Sequence, residues 1–100
     1  MITSSRAAIS FGHEPPYPVY DENNWSDIEV LTKAGVSYAG GYMLSKTLAE
    51  KAAWDFQRDL PAANRFELAS VNPCLVVGPA FVGSGFTSGN ILESWMTGNN

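Results

Sequence analysis

One hundred residues with 45% hydrophobic and 16% charged side chains suffice for one small globular domain and exclude a disordered chain. The net charge of -4 is mild and no basic cluster occurs, so neither a nucleic-acid backbone nor an anionic membrane surface meets a matching charge. A single cysteine (Cys74) and a single histidine (His13) exclude an intrachain disulfide and a Cys/His metal site, and without an apolar run long enough to span a bilayer the chain is expected to be cytoplasmic and metal-free.

Residues 1–5 read as the end of a strand, since Ile2 passes at once into Thr3, Ser4 and Ser5. From Arg6 to Gly35, the turn formers Gly12, Pro15, Pro16, Pro18, Asn23 and Asn24 predict a long surface connection, either a cleft border or a solvated connector. His13 has no motif around it and is assigned to that loop, while Asp21, Glu22 and Asp27 are read as turn and helix-cap residues and not as a metal cluster. A helix is predicted from between Ser37 and Gly41 to Leu60, where Pro61 stops it. Along it Leu44, Leu48, Ala52, Phe56 and Leu60 recur every fourth residue, a stripe expected to pack on a sheet, with Lys51, Asp55, Arg58 and Asp59 outside. Phe66 to Val71 and Leu75 to Val77 predict a buried parallel strand interrupted near Pro73, within which Cys74 is a small buried hydrophobe without a basic neighbour in sequence. Strand, crossover helix and strand make one βαβ unit. Such a unit leaves sheet edges open and buries little apolar area, so the expectation is a partial domain, truncated at both ends and inactive in isolation.

Tyr42 and Lys46 stand four residues apart on the predicted helix, which puts both on one face, one turn apart. A cation held beside a phenol favours the phenolate and makes an otherwise inert hydroxyl a usable acid or base, as carbonyl reduction requires. Upstream lies Thr3-Ser4-Ser5, then Tyr20-Asp21-Glu22 and Trp25-Ser26-Asp27; downstream lies Asn72-Pro73-Cys74-Leu75-Val76-Val77-Gly78-Pro79. In order and spacing these motifs resemble the extended short-chain dehydrogenase/reductases, and among them the dihydroflavonol 4-reductase-like group, which includes methylglyoxal and aldehyde reductases. The resemblance runs from Ile2 to about Trp95.

That resemblance implies part of a Rossmann-like, doubly wound parallel α/β sheet and an NAD(P)H-dependent reductase of ketones or aldehydes, with NADP(H) ahead of NAD(H) and a small-molecule carbonyl substrate. It implies Tyr42 as the acid, Lys46 as its partner and ligand of the nicotinamide ribose, and Ser5 as the holder of the substrate oxygen, with Ser4 the runner-up. Pro73, Cys74, Leu75 and Val76 are implied to pass over the nicotinamide, and Ser88 to touch the cofactor phosphates. The family's Gly-x-x-Gly-x-x-Gly turn, which seats a pyrophosphate at a helix N-terminus, is not in these 100 residues, and Gly40-Gly41 and Gly83-Ser84-Gly85 are no substitutes. A nucleotide-sugar epimerase or dehydratase of the same superfamily and a non-catalytic remnant are the alternatives. Gly40-Gly41 before Tyr42 departs from the pattern of reductases that take CoA thioesters, which argues against that substrate class.

Overall fold

The computed structural model describes residues 1–35, 38–79, 81, 83 and 87–99. Two strands, β1 (Ile2–Thr3) and β2 (Ser70–Val71), pair in parallel with Ile2 opposite Ser70 and Thr3 opposite Val71. Between them run a 3-10 turn at Arg6–Ala8 and helices α1 (Ile28–Lys33) and α2 (Tyr38–Asp59), and after β2 comes α3 (Thr87–Thr97). The expected α/β order of strand, helix and parallel strand is therefore observed.

The strand pairing extends beyond the residues that count as strand. Ile2 donates to the Ala69 carbonyl at 2.9 Å, Ser4 to Val71 at 2.8 Å and Arg6 to Pro73 at 2.9 Å, every second residue as a parallel ladder demands. Each such bond needs a return bond from the partner strand, and Pro73 has no N–H to give one back to Ser4. The ladder becomes one-sided there. Against expectation, 75–77 are consequently not strand, 66–69 are not strand either, and neither segment is buried: Phe66, Val76 and Val77 are 48%, 70% and 63% exposed.

Helix α2 ends one residue before the expected Leu60, ahead of Pro61; Ser37, one candidate for its start, lies outside the described residues. Its apolar stripe is not its packing face. Leu48 and Phe56 stand open to solvent, whereas Gly40, Thr47 and Glu50 are buried against α1 and the 3-10 turn. Only two strands are formed, so among the described residues no second layer exists to cover the stripe. The buried centre is small and half polar, with Ala7, Ala8 and Leu31 beside Ser5, Ser26, Thr47 and Glu50.

The expected long connection holds more order than its composition suggested. Asp27 caps α1 by accepting from the Val30 N–H at 3.0 Å, and Leu31 on that helix is buried. The loop closes on the 3-10 turn through Ser26 N–H to the Ala8 carbonyl at 2.9 Å and Asp27 N–H to Phe11 at 2.8 Å. Gly12, at φ +86°, is required by this closure, since a Cβ there would sit 2.9 Å from the Asp27 Cβ. His13 stacks on Tyr17 with ring centroids 4.3 Å apart, with Tyr20 tilted against both.

Ser26 is the pin of this closure, because its buried hydroxyl accepts from the Phe11 N–H at 2.9 Å and donates to the Ala7 carbonyl at 2.8 Å. Ser26→Ala strands the Phe11 N–H and leaves the Ala7 carbonyl only the long contact from Thr47, so urea denaturation of the full-length protein is expected to show a loss of about 1–3 kcal/mol. An unchanged midpoint would mean that the loop is not held this way.

Candidate active site

Ser5 leaves the ladder in extended conformation and caps the 3-10 turn, its Oγ accepting from the Ala7 N–H at 3.1 Å. That bond uses a lone pair and leaves the hydroxyl proton without a partner among the described residues. Tyr42 projects from the first turns of α2 and is half exposed, and Lys46, one turn on, holds its Nζ 5.7 Å from the Tyr42 ring centroid. Neither the phenol nor the ammonium makes a hydrogen bond or ion pair among the described residues.

Ser5 and Tyr42 line one cleft of about 200 Å³, with Cys74, Arg6, Phe11 and Met43 as neighbouring walls. Three residues picked out in the sequence, separated by up to 69 positions, thus meet at one place. Ser4 does not, being no part of the lining of that cleft. Cys74 corrects an expectation, being exposed and accepting from Arg6 Nη1 at 3.4 Å. The chain leaves the sheet at Pro73, which turns Cys74 out of the core and against a cation that is distant in sequence.

Pro73 and Leu75 are half-buried and Val76 is exposed, none of them lining the cleft. The backbone groups of Leu75, Val76 and Val77 make no hydrogen bond among the described residues, so this stretch is an open apolar ledge with free donors and acceptors. Ser88 lies in the first turn of α3 and does not reach the cleft. Of Gly83-Ser84-Gly85, Ser84 and Gly85 lie outside the described residues. Among the described residues no group of acidic, His and Cys side chains could hold a metal ion, and no helix is long and apolar enough to cross a membrane.

Behind the cleft lies a network that the motifs did not predict. Glu50 is buried, and its carboxylate receives Asn72 Nδ2 at 2.7 Å and Trp54 Nε1 at 3.3 Å. The same Asn72 amide donates to the Ser5 carbonyl at 3.0 Å, and its Oδ1 accepts from Ser70 at 3.0 Å. Thr47, fully buried, donates to the Met43 carbonyl at 2.7 Å and touches that of Ala7 at 3.4 Å. The sequence signal for Glu50 was its place one helical turn before Trp54 and two turns after Met43, on the face that also carries Thr47.

Against this geometry the comparisons are specific. Over 100 residues the chain is 40% identical to an anthocyanidin reductase ((2S)-flavan-3-ol-forming) of Vitis vinifera, a match that covers 99% of this chain and 28% of that protein. A dihydroflavonol 4-reductase of Gerbera hybrida is also 40% identical over 100 residues, covering 99% and 25%. The chain is a relative of the dihydroflavonol 4-reductase-like group. A bifunctional dihydroflavonol 4-reductase/flavanone 4-reductase of Pyrus communis is 38% identical over 79 residues. The chain spans about a quarter of the length of the curated relatives it matches. No family model matches it.

Burial pushes the Glu50 carboxyl up, but the polar groups gathered round it, among them the hydrogen-bonded Asn72 and Trp54, outweigh it and hold the group below its ordinary value. A carboxyl depressed in the folded state stabilises the fold fully above its unfolded-state value, and that contribution is lost as pH falls through the folded-state value. Glu50→Gln is therefore expected to flatten the acid side of the stability profile of the full-length protein. Denaturation midpoints between about pH 3 and pH 7 test this, and an acid limb identical in both proteins would remove Glu50 as its source.

Proposed function

We propose that this segment carries the proton-donating and oxygen-holding part of an NAD(P)H-dependent reductase that converts a ketone or aldehyde into an alcohol. One observation carries the reading, namely that Ser5 and Tyr42 face one cleft with Lys46 beside the phenol. Tyr42 gives its proton to the carbonyl oxygen. The free hydroxyl proton of Ser5 holds that oxygen in reach, stabilising the charge that grows on it during reduction. The charge of Lys46 stabilises the phenolate that forms as Tyr42 gives up its proton, solvent returns a proton before the next turnover, and the ammonium binds the ribose hydroxyls.

The ledge at 73–76 receives the nicotinamide, its free backbone groups taking the carboxamide while Leu75 and Val76 meet the ring face. When bound, the dinucleotide supplies the hydride. The segment is in this reading one part of a Rossmann-like NAD(P)-binding domain, with the pyrophosphate seated by other parts and Ser88 near a phosphate. NADP(H) is preferred over NAD(H). Similarity to proteins named as flavonoid reductases supports reduction as the chemistry, and a small-molecule carbonyl compound as the substrate.

In the full-length protein, Tyr42→Phe is expected to lower turnover by about 10²–10⁴-fold, the usual worth of a positioned acid, while cofactor affinity measured by fluorescence titration persists. Lys46→Ala is expected to weaken both. Turnover retained by Tyr42→Phe would eliminate the proposed acid, and cofactor affinity untouched by Lys46→Ala would eliminate the ribose contact.

A further inference from the structure

We propose that Arg6 makes the cleft selective for carbonyl compounds that carry a carboxylate next to the reacting carbon, as α-keto acids do. This rests on the reductase reading above and names its substrate class. Arg6 follows Ser5 directly, and its backbone is fixed by the N–H bond to the Pro73 carbonyl at 2.9 Å. Its side chain lines the cleft that holds Ser5 and Tyr42.

The guanidinium is oriented yet not neutralised. Nε donates to Ser10 Oγ at 2.9 Å, Nη1 donates to Cys74 Sγ at 3.4 Å, and the carbon at its centre lies 5.2 Å from the Phe11 ring centroid. A hydroxyl, a thiol and a ring face fix the fork without supplying a negative charge, and among the described residues the ion pairs belong to Arg58. Of the five N–H donors on a guanidinium, these bonds occupy two. The free donors suit the two oxygens of a carboxylate, the geometry in which Arg outperforms Lys.

Charge sorts the position of the anion. No acidic side chain lines the cleft, and Lys46 adds a second cation beside Tyr42. The cavity on the other side of Arg6 is bordered by Asp21 and Glu22, which repel an anion there. A carboxylate is thus favoured on the Tyr42 side, which leaves the adjacent carbonyl oxygen for Ser5 and Tyr42. Reduction then breaks the C=O π bond, the carbon gaining hydride from the dinucleotide and the oxygen gaining the Tyr42 proton, so that a 2-hydroxy acid and the oxidised dinucleotide result.

The test uses phenylglyoxylate and its methyl ester, which share the carbonyl and ring and differ in charge. Calorimetric binding of each to the full-length protein with oxidised cofactor, and reduction of each with NADPH, are measured in wild type, Arg6→Gln and Arg6→Lys. Wild type is expected to prefer the acid, Arg6→Gln to reduce that preference about tenfold by raising the Kd and KM of the acid with a smaller change in kcat, and Arg6→Lys to restore part of it. A ratio unchanged in Arg6→Gln, or weaker NADPH binding in place of weaker acid binding, overturns the proposal. Acid binding that depends on Arg6 with neither compound reduced by wild type would keep the anion site and refute the reductase reading instead.

Discussion

Asn72 joins segments that the chain separates by 22 and 67 residues, and the geometry of the candidate site follows from that junction. One proton of its amide goes to Glu50 on α2, the other to the Ser5 carbonyl at the end of β1, and its own carbonyl oxygen is taken by Ser70. An amide with both protons and its oxygen engaged has one orientation, so it sets the distance between strand end and helix. That distance decides whether Ser5 and Tyr42 face the same cleft. Charge-assisted bonds to a buried carboxylate are worth about 1.5–3 kcal/mol, several times an exposed ion pair such as that of Arg58 with Asp55.

Polar junctions of this kind fit a segment whose apolar interior is slight. Ala7, Ala8 and Leu31 alone bury little area, and Ser26, Thr47 and Glu50 complete the centre with hydrogen bonds that are directional where apolar contact is not. Leu48 and Phe56, the large apolar side chains of α2, point away from it. The packing of α2 against the 3-10 turn is therefore specified by where Thr47 and Glu50 find partners, and the same register brings Tyr42 to the cleft and Lys46 beside it.

Helix α2 was legible because its ends and period are written locally, with Pro61 as a stop and Tyr42 and Lys46 at helical spacing. Its buried face was not, because an every-fourth-residue apolar stripe says which side is greasy and not whether anything covers it. The second strand shows a similar division. An apolar run around Pro73 reads as strand, but strand formation depends on return bonds that a proline cannot make, and only Ser70–Val71 qualifies. Ser5 and Tyr42 were readable as a pair only through motif order. Glu50 and Arg6 were not, since their meaning arises from Asn72 and Cys74, which lie far along the chain. Asp27 was legible as a turn or cap residue, but the six-residue helix that it starts was not, being too short to show a period of its own.

Pro73 has two consequences that work together. By withholding an N–H from Ser4 it ends the reciprocal ladder, and by offering its carbonyl to Arg6 it still anchors the residue after Ser5. The chain beyond it then departs from β1 with the backbone of 75–77 unpaired. A regular strand would have consumed those donors and acceptors in the sheet and turned Cys74 inward. The interruption instead leaves the backbone of 75–77 unpaired and turns Cys74 out to meet the Arg6 guanidinium at the cleft, so a single imino acid both limits the sheet and decides which groups beyond it stay accessible.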